Sequence, residues 1–254
     1  MLSRNEILFI KELHHKKGRS EQLLFVVEGS KSVSELLGSK LGVKKLFSLP
    51  KWLAENQKLV QRVEEVHTIS EKDLERISQH KTPQEVLALA ELPDYKLEQL
   101  WFDSAHHDSA HRGITLMLDG IQDPGNLGTI IRTADWYGVQ NIICSPTTAD
   151  CFQHKVVQAC MGSLFRTAIY YTDLKSYLAK HKPYIIGAVL DGQNANEAKF
   201  PKDGCLLIGS EGKGISDELL PYINLKVSIP RIGKAESLNA GIATAILLDR
   251  LAGR

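Results

Sequence analysis

The sequence predicts an α/β protein whose carboxy-terminal domain is built on a parallel sheet, preceded by a smaller layered α/β module. Three observations carry this. Short runs such as "ITLMLDG", "YIIGAVLDG" and "GCLLIGSEG" are almost continuously apolar, as strands buried on both faces are. Stretches with helical spacing separate them and are long enough to be crossover helices. Residues 93–113 then interrupt the rhythm with a polar stretch rich in His, Ser and Asp, which reads as a linker. The expected organisation is a module over 1–92, a linker over 93–113 and a domain over 114–254.

The module alternates short elements. "SRNEILFIKELHHKKG" reads as one helix with Ile7, Ile10 and Leu13 on one side. "LLFVVEG" is a buried strand, "SKSVSELLGS" a helix and "VKKLFSL" extended. "VEEVHTIS" is a strand, "EKDLERISQH" a helix and "EVLALAEL" a last strand. In the linker, His107 and His111 are spaced to share a helix face as metal ligands. No third ligand is evident, so they read as part of a solvated connector and no metal is expected. The domain continues with the strand "ITLMLDG", a helix over 127–137 and the strand "QNIICSP". "HKVVQACMGSL" is a helix, "RTAIYYT" extended, "LKSYLAKH" a helix and "YIIGAVLDG" a strand. "GCLLIGSEG" is a strand entering a glycine-rich turn, "LKVSIP" a short strand and "ESLNAGIATAILLDRLAG" a terminal helix.

The totals exclude several classes. The chain has 254 residues and a net charge of +1, so no global basic field advertises a polyanion partner. Such a partner must be met by local patches, of which Lys11 to Arg19 is one. The four cysteines form no C-x-x-C pair and read as reduced thiols of a cytosolic protein. No apolar run approaches the ~20 residues needed to span a bilayer. The acidic residues in "MLSRNEILFIKELHHKK" argue against a secretory signal.

On a parallel sheet, ligands sit at the carboxyl ends of strands, and the three richest loops occupy that position. In "DGIQDPGNLGTIIRTAD", Asn126 is placed to cap the helix that Leu127 begins. Leu127, Ile130, Ile131 and Ala134 form its apolar stripe, while Thr129, Arg132 and Asp135 share the other side. Its G-x-x-G spacing is not the G-x-G-x-x-G of a dinucleotide site. In "LLIGSEGKGISDE", Gly209, Gly212 and Gly214 let the backbone approach a ligand. Glu211 between them can cap the next helix or bind hydroxyls, and the G-K-[ST] ending of a P-loop is missing. In "VSIPRIGKAESLNAGIATAILL", Glu236 or Ser237 can cap the terminal helix, and no histidine makes Ser237 a hydrolytic nucleophile.

Taken together and in this order, the loops resemble the SpoU (TrmH-like) family of RNA ribose 2′-O-methyltransferases, of the SPOUT class. "NLGTIIRTADWYGV", "LLIGSEGKGIS" and "IPRIGKAESLNAGIATAILL" correspond to its three motifs. "FVVEGSKSVSELL" and "SQHKTPQEVLAL" resemble the RNA-binding module, of ribosomal-protein-like α/β/α fold, that often precedes this domain. The resemblance implies a trefoil-knot domain, a homodimer whose subunits complete each other's sites, and S-adenosylmethionine as cofactor. It implies cofactor contacts at Leu190, Gly209, Ile229 and Leu238, through backbone groups that need no special side chains. It implies a catalytic set of Asn126, Arg132, Glu211, Ser237 and Asn239. A guanidinium with a pKa above ~12 is a poor base, so Arg132 is expected to bind phosphate and stabilise the developing alkoxide. Two positions depart from the family pattern. Gln158-Ala159-Cys160 stands where members often show Arg-Ala-Ser, and Arg231 and Lys234 stand where uncharged residues are more usual. The expected function is methylation of a ribose in cytoplasmic RNA, with the extra module leaning toward ribosomal RNA. The alternatives are the same chemistry on transfer RNA, or a non-catalytic RNA-binding protein of this fold.

Overall fold

The structure is a computed structural model that describes residues 1–97 and 113–252. His107, His111 and most of the expected linker lie outside the described residues. The chain forms two compact units: Met1–Asp94 together with Asp150–Arg166, and Tyr95–Ala149 together with Thr167–Arg254.

In the first unit the elements run α1 (Arg4–Glu12), α2 (Lys16–Gln22), β1 (Leu24–Glu28), α3 (Ser30–Leu37), β2 (Val43–Ser48), α4 (Pro50–Glu55), β3 (Glu65–Thr68), α5 (Glu71–Ile77) and β4 (Val86–Glu91). The sheet order is β1-β4-β2-β3, with β4 antiparallel to both neighbours and β2 parallel to β3. Ser3 and Glu6 form a reciprocal capping box that starts α1. The single amino-terminal helix expected from periodicity is in fact two. A Cβ on Gly18 would lie 2.2 Å from the Glu12 carbonyl oxygen, so glycine lets α2 fold back against the end of α1. Arg19 then points inward. Its Nη1 donates to the carbonyls of Leu13 and His14, both at 3.0 Å, and its Nη2 pairs with Asp150 at 2.5 Å. At 4% exposure Arg19 is withdrawn from the basic patch expected over Lys11 to Arg19.

The segment Asp150–Arg166 completes this unit. It carries α7 (His154–Ala159) and a 3₁₀ turn, Ser163–Phe165. A longer helix was expected here, but the chain turns at Met161 (φ 52°) and Gly162 (φ 92°). The ring of Phe25 meets those of Phe152 and Phe165, at 4.8 and 6.5 Å. Gln158 Nε2 donates to the Glu28 carbonyl at 2.9 Å, and Arg166 pairs with Glu35 at 2.6 Å. The Glu28 carboxylate is buried, accepts from Ser78 Oγ (2.5 Å) and the Gln79 N–H (3.0 Å), and lies 3.5 Å from His154 Nδ1. A buried charge needs such partners, because each unmet acceptor costs about 1–3 kcal/mol.

The second unit runs β5 (Ile114–Asp119), α6 (Pro124–Trp136), β6 (Asn141–Cys144), β7 (Ala168–Tyr171), α8 (Leu174–His181), β8 (Ile185–Asn194), β9 (Gly204–Gly209), β10 (Leu225–Ser228) and α9 (Ala240–Ala252). The six strands lie in the order β10-β8-β9-β5-β6-β7, and every pairing is parallel. Leu116, Met117, Leu118, Ile142, Ile143, Leu206 and Leu207 are fully buried, which accounts for the near-continuous apolar strands. The chain leaves β5 for β6 on one side and returns to β9 on the other, so the crevice between the loops after β5 and β9 is a topological switch point. Strand β8 is irregular. It pairs with β10 at Gly187↔Lys226 and next at Gln193↔Val227, so residues 188–192 leave that ladder. The cysteines are free and buried, and burial pushes the Cys205 thiol up to about 12 and that of Cys144 higher still. Among the described residues no helix is long and apolar enough to cross a membrane.

Candidate active site

The loop after β5 is built by a cap other than the one expected. Asp123, not Asn126, starts α6: its Oδ1 accepts the Asn126 N–H at 2.8 Å and its carbonyl accepts the Leu127 N–H at 3.0 Å. Pro124 sits at the first helical position, where its fixed φ and missing N–H suit a helix start. The helix therefore begins three residues early, and the Asn126 amide is left for other work.

The loop after β10 follows the same logic. Glu236 and Ser237 were the expected caps, but α9 begins at Ala240 and Asn239 caps it. Asn239 Oδ1 accepts from the N–H groups of Gly241 (2.9 Å) and Ile242 (3.3 Å). Residues 231–239, expected in part as helix, are all exposed loop. Gly241 brings the heads of α6 and α9 together: a Cβ there would lie 3.1 Å from Thr129 Cγ2.

These caps determine a chain of hydrogen bonds across three loops. Backbone N–H groups can only donate, so Asn239 must turn its oxygen to α9 and its nitrogen outward. Asn239 Nδ2 donates to Asn126 Oδ1 at 2.7 Å. Asn126 must then present its own nitrogen on the other side, where Nδ2 donates to Glu211 Oε1. Both amide orientations follow from the helix terminus without free choice.

Glu211 is held in a tight turn. The Ser210 N–H donates to the Gly214 carbonyl (3.1 Å), and the Gly214 N–H donates back to that of Ser210 (2.9 Å). A Cβ on Gly209 would stand 2.0 Å from the Gly214 carbonyl carbon, so no larger residue fits there. Two residues that sequence reasoning missed lock the turn and its neighbour. Asp119 Oδ2 accepts the Ser216 N–H at 2.8 Å, and Ser145 Oγ accepts the N–H of Gly120 (φ 70°) at 2.9 Å. The available signal was the Asp-Gly pair at the end of a buried strand.

The remaining expected residues fall around this relay. Arg132 is exposed on α6, about 9 Å of helix rise beyond Asn126, and makes no hydrogen bond or ion pair among the described residues. Ser237 is exposed in the third loop. Leu190 is 81% exposed in the 188–192 excursion, and Leu238 is 44% exposed beside Asn239. Ile229 is half-buried immediately after β10, and Gly209 ends β9. Asn126, Glu211 and Asn239 are thus brought into direct contact. Ser237 and the four cofactor positions lie on or beside the loops after β9 and β10 and on the β8 excursion, and Arg132 lies on α6, all without side-chain bonds to the relay.

Residues 113–249 match the SpoU rRNA Methylase family and residues 4–88 an MRM3-like substrate binding domain. The chain is 32% identical over 250 residues to "23S rRNA (guanosine(2553)-2′-O)-methyltransferase RlmP" of Bacillus subtilis, covering 96% of this chain and 94% of the relative. Among solved structures it is similar to a putative RNA methyltransferase of the TrmH family from Porphyromonas gingivalis, at 37% identity and a TM-score of 0.86, covering 100% of this chain and 99% of that one. It is also similar to an AdoMet-bound rRNA methyltransferase from Sinorhizobium meliloti, at 30% identity and a TM-score of 0.82, covering 99% and 95%. A parallel α/β sheet with polar loops at its switch point, following a substrate-binding module, is the architecture of an RNA-modifying transferase. The chain belongs to the SpoU rRNA methylase family.

Proposed function

We propose that this protein transfers the methyl group of S-adenosylmethionine to a ribose 2′-hydroxyl of RNA, ribosomal rather than transfer RNA, in the cytoplasm. The observation that carries it is the Asn239–Asn126–Glu211 relay, which joins the three family motifs through their side chains.

The residues present fit the cofactor. An adenosine with an amino-acid tail asks for backbone donors and acceptors with apolar neighbours. The 188–192 excursion frees backbone groups from the β8–β10 ladder, and the close approach of Gly209 to the Gly214 backbone fixes the turn beside them. Leu190, Gly209, Ile229 and Leu238 are the residues that would hold it. S-adenosylmethionine supplies a methyl group already activated by its sulfonium, for in-line displacement by the ribose oxygen.

The chain's own task is alignment and charge. Glu211 and Asn126, each fixed by the relay, orient the nucleotide. Arg132 supplies a permanent positive charge to phosphate and to the oxygen as its proton leaves for a substrate phosphate or water. Ser237 and Asn239 hold ribose or phosphate and fix the third loop. A trefoil-knotted chain belongs to this reading through the family resemblance alone. Trp136 (82% exposed) on α6 and Ile242 (51%) on α9 support a homodimer through this unit.

Ribose methylation mapped across all RNA from cells with and without the protein tests the reading, with titration of purified protein by S-adenosylmethionine. The expected result is one or a few ribosomal nucleotides that lose methylation, and micromolar cofactor binding. An unchanged map together with no cofactor binding would sink it. Loss at a transfer RNA nucleotide instead would move the substrate and keep the chemistry.

A further inference from the structure

The third loop carries two cations that the relay leaves unused. Arg231 and Lys234 lie within the exposed stretch 231–239. Among the described residues Lys234 makes no hydrogen bond or ion pair. Arg231 makes one hydrogen bond, from Nη1 to the Ala235 carbonyl at 3.3 Å, which closes a small turn and leaves most of its donors to solvent. The loop ends at Asn239, whose amide is bonded to Asn126. Lys234 is five residues from that point, so its backbone lies within about 18 Å of the relay. Glu236 is the sole acid between Ile229 and Leu248, so the loop is locally cationic.

Two positions expected to supply positive charge do not offer it to solvent. Arg19 is buried against Asp150. At position 158, where the family pattern supplies an arginine, Gln158 spends its amide on the Glu28 carbonyl. With a net charge of +1, the chain has no long-range field to gather a polyanion. A planar guanidinium and a flexible ammonium, neither in an ion pair among the described residues, are the complementary pair for phosphate oxygens.

We propose that Arg231 and Lys234 form a phosphate clamp that grips the RNA backbone beside the nucleotide being methylated. The proposal rests on the RNA methyltransferase reading, but its test separates the two. Binding of a fluorescein-labelled single-stranded RNA is followed by anisotropy across a salt series. Neutralising two contacts by Arg231→Ala with Lys234→Ala should flatten the plot of log affinity against log salt by about 1.4, at ~0.7 per phosphate. The KM for protein-free ribosomal RNA should rise about tenfold with kcat and cofactor KM unchanged, as expected for lost ground-state binding. The control is Lys199→Ala with Lys202→Ala, which removes the same charge ahead of β9. That strand is about 20 Å long and separates these lysines from the Glu211 turn. The control should leave the slope unchanged. An unaltered slope in the Arg231/Lys234 variant overturns the clamp, and so does an equal fall in both variants, which would mean net charge alone. RNA binding that shows the predicted slopes without any methyl transfer would uphold the clamp and defeat the catalytic reading.

Discussion

At the scale of the residue, Asn239 holds two roles that chemistry can separate. Its oxygen caps α9 and its nitrogen reaches Asn126. Asn239→Asp keeps an acceptor, and a negative charge at a helix amino terminus is favourable. It removes the donor and sets two oxygens facing each other. The expected variant melts within a degree or two of wild type, yet loses about tenfold or more in kcat, since ~1.4 kcal/mol of misalignment is tenfold in rate. Asn239→Ala should lose the cap too, at about 1 kcal/mol. Parallel melting curves and single-turnover rates decide, and full activity in the aspartate variant would detach the relay from catalysis. The residue types at these loops were legible in the sequence, and the caps were not. Asp123, Asn126, Glu236, Ser237 and Asn239 all have capping side chains, and only tertiary placement selects Asp123 and Asn239 and releases Asn126.

At the scale of the element, the turn after β9 depends on one missing methyl group. Gly209→Ala drives a Cβ into the backbone of Gly214 and Ile215, so the turn bearing Glu211 must move. Overpacking of this kind costs about 1–3 kcal/mol. Cofactor affinity, read by calorimetry, should fall with it. Gly212→Ala, in the same turn with nothing within 4 Å of its Cβ, should stay within about 0.5 kcal/mol of wild type. Equal behaviour of the two would remove the close approach from the account. Strand and helix types were legible because burial on both faces leaves long apolar runs. Boundaries suffered where one glycine or cap decided them: Gly18 splitting α1 from α2, Gly162 ending α7 early, Asn239 delaying α9.

At the scale of the whole molecule, the segment Asp150–Arg166 was the least legible part. Its sequence reads as one more crossover helix of the second unit, yet it packs with the first. No local signal reports this, because its partners Arg19, Glu28 and Glu35 lie about 130 residues away. The packing has a pH signature. Burial lowers the pKa of His14 below its ordinary 6.5, only partly opposed by Glu28, and burial lowers that of His154 likewise, with His80 edge-on at 4.7 Å. Above 6.5 both rings are neutral in the folded and unfolded chain. As pH falls below 6.5 the unfolded chain takes up protons first, so stability declines until the folded rings titrate too. Each ring contributes up to about 1.4 kcal/mol per pH unit. The melting temperature should drop between about pH 7 and 5.5, and His154→Gln should shallow that drop; an identical slope in the variant would clear His154 of the effect. There is also a consequence for synthesis. Phe25 waits for Phe152 and Phe165 to close its core. A nascent chain that has finished β4 therefore holds an open amino-terminal unit until residue 166 leaves the ribosome, by which time β5 and β6, the first two strands of the parallel sheet, are already outside. The amino-terminal unit is therefore finished only after the chain of the second unit has begun, and the second closes last.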